Sequence, residues 1–157
     1  MIWVLKSHSK ARELSKQGDH CKAENLYRQA LRERSKILGS DHSATLGSKY
    51  WLAITLYELK RDSEAEEFFQ QTVQQREKTL GTQHSDTTSI KFWLAKIYYQ
   101  LKKYTEAKGL FWQTLEQPEQ LEKILGTKYS DIIFSKNWLT RTLYKLKKYI
   151  EVKELFW

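Results

Sequence analysis

One proline, six glycines and one cysteine are spread over 157 residues, and each scarcity excludes something. A chain so poor in backbone breakers has few sites for tight turns, which excludes an all-β sandwich and leaves long helices as the expected secondary structure. With Cys21 alone there is no intramolecular disulfide and no thiolate metal cluster, and a reducing, cytoplasmic compartment is expected rather than secretion. Long apolar runs are missing too. Met1 to Leu5 are five apolar residues before Lys6, whereas a signal peptide needs roughly 7 to 15 and a membrane span about 20. No membrane association is expected.

What the chain does have is charge and rings: 29% charged residues, 13% aromatic and a net charge of +8. The basic excess is not a block. Residues 1–37 hold nine basic and four acidic side chains, 38–115 ten and nine, and 116–157 eight and six. The surplus favours acidic partners without specifying nucleic acid.

Self-similarity is the strongest signal. Leu38-Gly39, Leu80-Gly81 and Leu125-Gly126 are spaced by 42 and then 45 residues. Trp51, Trp93 and Trp138 keep the same spacing, as do Tyr57, Tyr99 and Tyr144, and Phe69, Phe111 and Phe156. Residues 44–73 laid on 86–115 give 13 identities in 30 positions. The three extra residues of the last spacing fit Pro118-Glu119-Gln120, where proline is expected to interrupt a long helix.

Each unit reads as two helices. In the second, residues 44–60 carry Leu46, Tyr50, Leu52, Ala53, Leu56 and Tyr57 at helical spacing, and 63–80 carry Ala65, Phe68, Phe69 and Val73. Ser43, Ser85 and Ser130 are the expected N-caps, and Gly39, Gly81 and Gly126 the expected left-handed residues at helix ends. Ala53 with Ala65, and Ala95 with Ala107, place a small residue on each helix of a pair for close backbone approach. The expected fold is all-α, a right-handed superhelical solenoid of antiparallel hairpins. It forms one array over 1–157, with units at about 1–39, 43–81, 85–126 and 130–157. In the first unit Ser9 and Lys10 replace the Trp-Leu pair, so its first helix is expected to be degenerate or a cap. In the last, Thr140 and Val152 replace the alanines, which loosens that hairpin. The last unit is incomplete, which points to a fragment of a longer array and leaves an end for self-association.

Leu52-Ala53-Ile-Thr-Leu-Tyr57-Glu-Leu-Lys-Arg-Asp-Ser-Glu-Ala65-Glu-Glu-Phe-Phe69 and the linker Arg76-Glu-Lys-Thr-Leu-Gly-Thr-Gln-His84-Ser-Asp-Thr87 resemble tetratricopeptide repeats of the 42-residue kinesin-light-chain type. The Lys49-Tyr-Trp-Leu-Ala53 and Lys91-Phe-Trp-Leu-Ala95 segments are also similar to arrays at the C-terminal end of fungal NACHT-type signalling ATPases.

Signs of chemistry are absent. Gly47-Ser48-Lys49 and Gly126-Thr127-Lys128 lack the first glycine of a phosphate loop. His42 and His84 share a repeat position, but the third unit has Tyr129 there, so they are expected to pack loops rather than bind a metal. Glu64, Glu106 and Glu151 recur near helix starts, where the dipole stabilises a carboxylate. No catalytic residue, metal or cofactor is expected.

The resemblance implies that the first helices line a concave groove, with Tyr50, Ile54, Tyr57, Phe92, Lys96, Tyr99, Asn137, Arg141, Tyr144 and Lys145 facing it. Such a surface suits a protein or extended peptide with acidic and aromatic side chains. The tryptophans are expected to pack between neighbouring first helices. A nucleic-acid binder is the alternative, weakened by the nearly balanced charge of the middle of the chain.

Overall fold

The computed structural model describes residues 2–115 and 130–156, and all the regular structure among them is helical. The helices are α1 (Ile2–Lys16), α2 (His20–Leu38), α3 (Ser43–Glu58), α4 (Asp62–Leu80), α5 (Ser85–Gln100), α6 (Tyr104–Leu115) and α7 (Ser130–Phe156). They fall into two compact units, one ending at Thr79 and the other beginning at Leu80.

The hairpin turns share one backbone device. Gly18, Lys60 and Lys102 occupy equivalent repeat positions, and all have positive φ, at 82°, 62° and 61°. After each, the next N–H reaches back five residues: Asp19 to the Leu14 carbonyl, Arg61 to Leu56, and Lys103 to Tyr98. α1, α3 and α5 thus each end in a Schellman motif, so the chain reverses within three residues. Two lysines bear the strain that glycine avoids.

Between hairpins the joints also repeat. Gly39 and Gly81 have φ of 88° and 91°, and Thr45 and Thr87 donate their hydroxyls to the Gly39 and Gly81 carbonyls at 2.8 and 3.0 Å. The expected caps Ser43 and Ser85 are instead the first helical residues, and the caps are His42 and His84. Their Nδ1 atoms accept from the Ala44 and Asp86 N–H groups at 3.1 and 3.2 Å. An imidazole at the cap position thus takes up the N–H two residues on, one of the orphan donors of the first turn.

In unit 1 the small positions Ala11, Ala23, Ala53 and Ala65 are fully buried. The first hairpin therefore follows the rule despite Ser9 and Lys10, which are exposed on a regular α1. Tyr27, Leu46, Leu52, Leu56 and Phe69 fill the space beside the alanines. Buried hydroxyls are satisfied locally, Thr55 donating to the Trp51 carbonyl and Thr72 to that of Phe68. Arg34, also buried, donates to the Ala44 carbonyl and the Ser48 Oγ at 2.8 and 2.9 Å.

In unit 2, Ala95, Ala107, Phe111 and Leu139 form the core. Of the third second-helix, α6, the described part is Tyr104–Leu115. The proline insertion and Gly126 lie outside the described residues. Residues 130–157 carry the expected incomplete hairpin, yet α7 runs as one 27-residue helix through the turn position at Lys147. Thr140, equivalent to the buried Ala53 and Ala95, is exposed. A branched side chain at each small position removes the close contact that would offset the strain of a left-handed Lys147, so the helix continues.

Candidate binding surface

The candidate residues lie on α3 in unit 1 and on α5 and α7 in unit 2. In unit 2 they gather around Trp138. Its indole meets Tyr99 edge-on at 5.2 Å between centroids and stacks on Phe111 at 6.2 Å with planes 18° apart. Two cations flank the same ring: the Lys96 ammonium lies 5.5 Å from its centroid and the Arg141 guanidinium 5.6 Å. Lys96 also lies 3.9 Å from the Trp93 centroid. A cation over an indole is stabilised by about 0.5–1 kcal/mol at an exposed site. The rings therefore hold these two positive groups in place instead of leaving them to sweep through solvent. Asn137, Arg141, Tyr144 and Lys145 are exposed.

The other candidates of unit 2 lie deeper. Phe92 turns its ring edge-on to Phe111 of α6 at 5.7 Å and to Trp93 at 6.5 Å. Tyr99 touches Tyr104 at the start of α6 as well as Trp138. In unit 1, Tyr50 mirrors Phe92, edge-on to Phe69 at 6.1 Å and Trp51 at 5.4 Å. Tyr57 is only 8% exposed, with the Lys60 ammonium 5.5 Å from its ring, and Ile54 is half-buried. The structure thus brings Lys96, Tyr99 and Arg141 together, while Tyr50 and Phe92 meet the second helix of their own hairpin.

Trp51 and Trp138 each pack against the first helix of the preceding hairpin. The Arg12 guanidinium of α1 lies 5.1 Å from the Trp51 centroid, which is the same arrangement as Lys96 over Trp138. Sequence reasoning followed the cation position through Ile54, Lys96 and Arg141 and stopped there. The signal was available, because Arg12 precedes Ile54 by one 42-residue period.

The recurring acid Glu64 has a structural role. Glu24 and Glu64 share Arg28 and Arg61 in a closed quartet, with Arg28 to Glu24 at 2.8 Å and to Glu64 at 3.1 Å. Arg61 meets Glu24 at 2.8 Å and Glu64 at 2.6 Å. Hydrogen bonding to Arg61 first, then to Arg28, holds the Glu64 carboxyl below its ordinary range, so it is a poor proton carrier at neutral pH. Among the described residues no three His, Cys, Asp or Glu side chains come together to hold a metal ion. No described helix is long and apolar enough to cross a membrane.

A tetratricopeptide-repeat profile matches this chain over residues 7–76 and again over 45–120. Among solved structures, it superposes on the TPR-like, nearly identical repeats of the kinesin-light-chain type from Podosopora anserina with a TM-score of 0.81 and 25% identity. That match covers 97% of this chain and 71% of the other, and a single-substitution variant of the same repeats matches as well, at 70% of its length. BtubC (BKLC) from P. vanneervenii has the same fold, with a TM-score of 0.83 at 16% identity, over 96% of this chain and 59% of that one. No curated protein matches the sequence.

Proposed function

Because the chain belongs to the tetratricopeptide-repeat family, whose arrays are protein–protein interaction scaffolds, we propose that it binds an extended acidic and aromatic segment of a partner along its first helices and carries out no reaction itself. The observation that carries this reading is the pair of cations from two different helices, Lys96 and Arg141, held over Trp138. A carboxylate reaching that point meets two positive groups without having to order them, and a neighbouring ring has the indole and the exposed Tyr144 to pack against. Asn137 and Lys145 extend the polar rim, and the half-buried Ile54 with Tyr50 and Tyr57 offers the corresponding, more apolar stretch in unit 1. A cytoplasmic setting, and a place at the sensing end of a larger signalling protein, belong to the same proposal.

The test is direct binding of a peptide library that alternates Asp or Glu with Trp or Tyr. Lys96→Glu together with Arg141→Glu should weaken the tightest peptide by about tenfold or more, chiefly through a slower and less salt-sensitive association. Gln74→Ala, an exposed change on the second helix α4, should leave affinity unchanged. If charge reversal has no effect and Gln74→Ala weakens binding, recognition lies on the second helices. If only nucleic acid binds, with a steep loss on adding salt, the electrostatic alternative takes over.

A further inference from the structure

In unit 1 a second helix lies on the two helices before it. α4 reaches α2 through Glu64, 3.1 Å from Arg28, and α3 through Phe69, edge-on to Tyr50 at 6.1 Å. The equivalent place in unit 2 is beside α6 and α7, which pack on each other. The last turns of the chain do not fill it, because α7 continues as one helix from Ser130 to Phe156.

The two helices bounding that place are left with apolar surface. Of the seven large apolar side chains exposed among the described residues, four belong to α6 and α7. Trp112 of α6, two periods on from Arg28, is 56% exposed. On α7, Leu143 is 43% exposed where its counterpart Leu56 is fully buried, and Ile150 is 47% exposed. The exposed Thr140 stands where Ala53 and Ala95 are buried. Thr140, Leu143 and Ile150 are spaced by three and seven residues and share one side of α7. Leu139, one turn before Leu143, is buried, so this side borders the core.

Charge says what kind of helix fits. α2, on which α4 rests, has five basic and two acidic side chains, and α4 has five acidic and two basic, so the two helices are opposite in sign. In unit 2 the receiving surface is basic again: residues 136–150 hold five basic side chains and no acid, and Lys108 stands on α6 where α2 has Glu24. We infer that the groove between α6 and α7 receives an acidic amphipathic helix of a partner protein, apolar on the side it turns to Trp112 and Leu143 and rich in Asp and Glu along its flanks. Recognition is of the helix-in-groove kind, with apolar anchors at helical spacing giving affinity and the cations speeding encounter and fixing orientation. The last turns of a second copy suit the groove poorly, since residues 145–156 carry four basic and two acidic side chains and would meet like charge. Nucleic acid would leave Trp112, Leu143 and Ile150 in water.

This inference does not rest on the peptide-binding reading, which uses the first helices around Trp138 and not the flank shared by α6 and α7. The intact chain is tested against a library of labelled helical peptides of about 18 residues, with leucine or phenylalanine at helical spacing on one side and glutamate on the flanks. Trp112→Ala and Leu143→Glu, both at exposed positions, should each weaken the tightest peptide at least about tenfold, with helicity unchanged by circular dichroism. Lys108→Glu should slow association and make it less sensitive to salt. A proline in the middle of that peptide, or lysines in place of its glutamates, should abolish binding. Lys96→Ala, on the other surface, should leave the affinity within about twofold. The inference is overturned if no helical peptide binds more tightly than its scrambled control, if neither Trp112→Ala nor Leu143→Glu weakens binding, or if the proline-containing form binds as well. It is equally overturned if sedimentation shows the chain self-associating through Trp112, or if anionic vesicles or duplex DNA occupy this surface and the peptide does not compete.

Discussion

Unit 1 and unit 2 are built on the same repeat and cemented differently. In unit 1 the space beside the buried alanines is filled by Leu46, Leu52 and Leu56 with Tyr27 and Phe69, and the turn between α3 and α4 is tied to α2 by the Glu24, Arg28, Arg61 and Glu64 quartet. Two periods on from Glu24 and Arg28 stand Lys108 and Trp112, so unit 2 has no counterpart of that quartet. Rings take over there: Phe92, Tyr99, Tyr104, Phe111 and Trp138 form one connected series of edge and stacked contacts. Both units retain the buried alanines and the left-handed turn residue. The lesson is that these two features set the hairpin, and the filling around them is free to diverge as long as the volume is occupied.

If the aromatic series holds unit 2, Phe111→Ala should have the largest effect. It removes the ring between Phe92 and Trp138 and should cost about 3–5 kcal/mol. Hydrogen exchange should then show α5 and α6 losing protection while α1, α2 and α3 keep theirs. An equal loss in both units would break the comparison, because it would mean that they unfold as one.

A smaller effect, confined to unit 1, should appear in acid. His8 meets Tyr27 edge-on at 5.3 Å, and its Nε2 is buried without a hydrogen-bond partner. Burial first, then the positive charges of Arg34 and Arg12, lower its pKa from 6.5 to about 4. The folded state therefore resists protonation that the unfolded chain accepts. The stability this represents is complete above pH 6.5 and is lost as the pH falls toward 4. With solvent screening, the loss should be on the order of 1–2 kcal/mol. Urea titrations at pH 7 and pH 5 should show it, and His8→Leu should flatten the difference.

The smallest effect should be shared by both units. Lys60→Gly and Lys102→Gly relieve a positive φ in the same turn, and each should gain about 0.5–1 kcal/mol. A gain at one turn and a loss at the other, read from urea midpoints, would show that the two hairpins do not close by the same device.

Much of this was legible in the sequence because repetition multiplies weak signals. A single alanine in a helix says little, but Ala53, Ala65, Ala95 and Ala107 at a fixed spacing mark the close approach of two backbones, and all four are buried. The joint glycines at 39 and 81 were legible for the same reason. The caps were misplaced by one residue because serine competes with an unusual imidazole acceptor, and propensity alone ranks the serine first. The candidate surface was less legible. Helical periodicity places Tyr50, Phe92 and Arg141 on helix faces without saying how far each side chain turns toward its neighbours.

The sequence by itself determined the repeat period, the helical hairpin and the small residues at its closest approach, because these depend on local backbone conformation and on patterns that recur with the period. Only the tertiary structure decided which rings meet. Trp138 is reached from α5, α6 and α7 at once, and the contacts of Lys96 with it come from a residue 42 positions away in the chain. It also decided that the last unit runs straight. Lys102 and Lys147 stand in nearly identical local sequences. Whether such a lysine adopts the left-handed turn depends on the packing energy returned by the helix that follows, and that energy is a property of the whole hairpin.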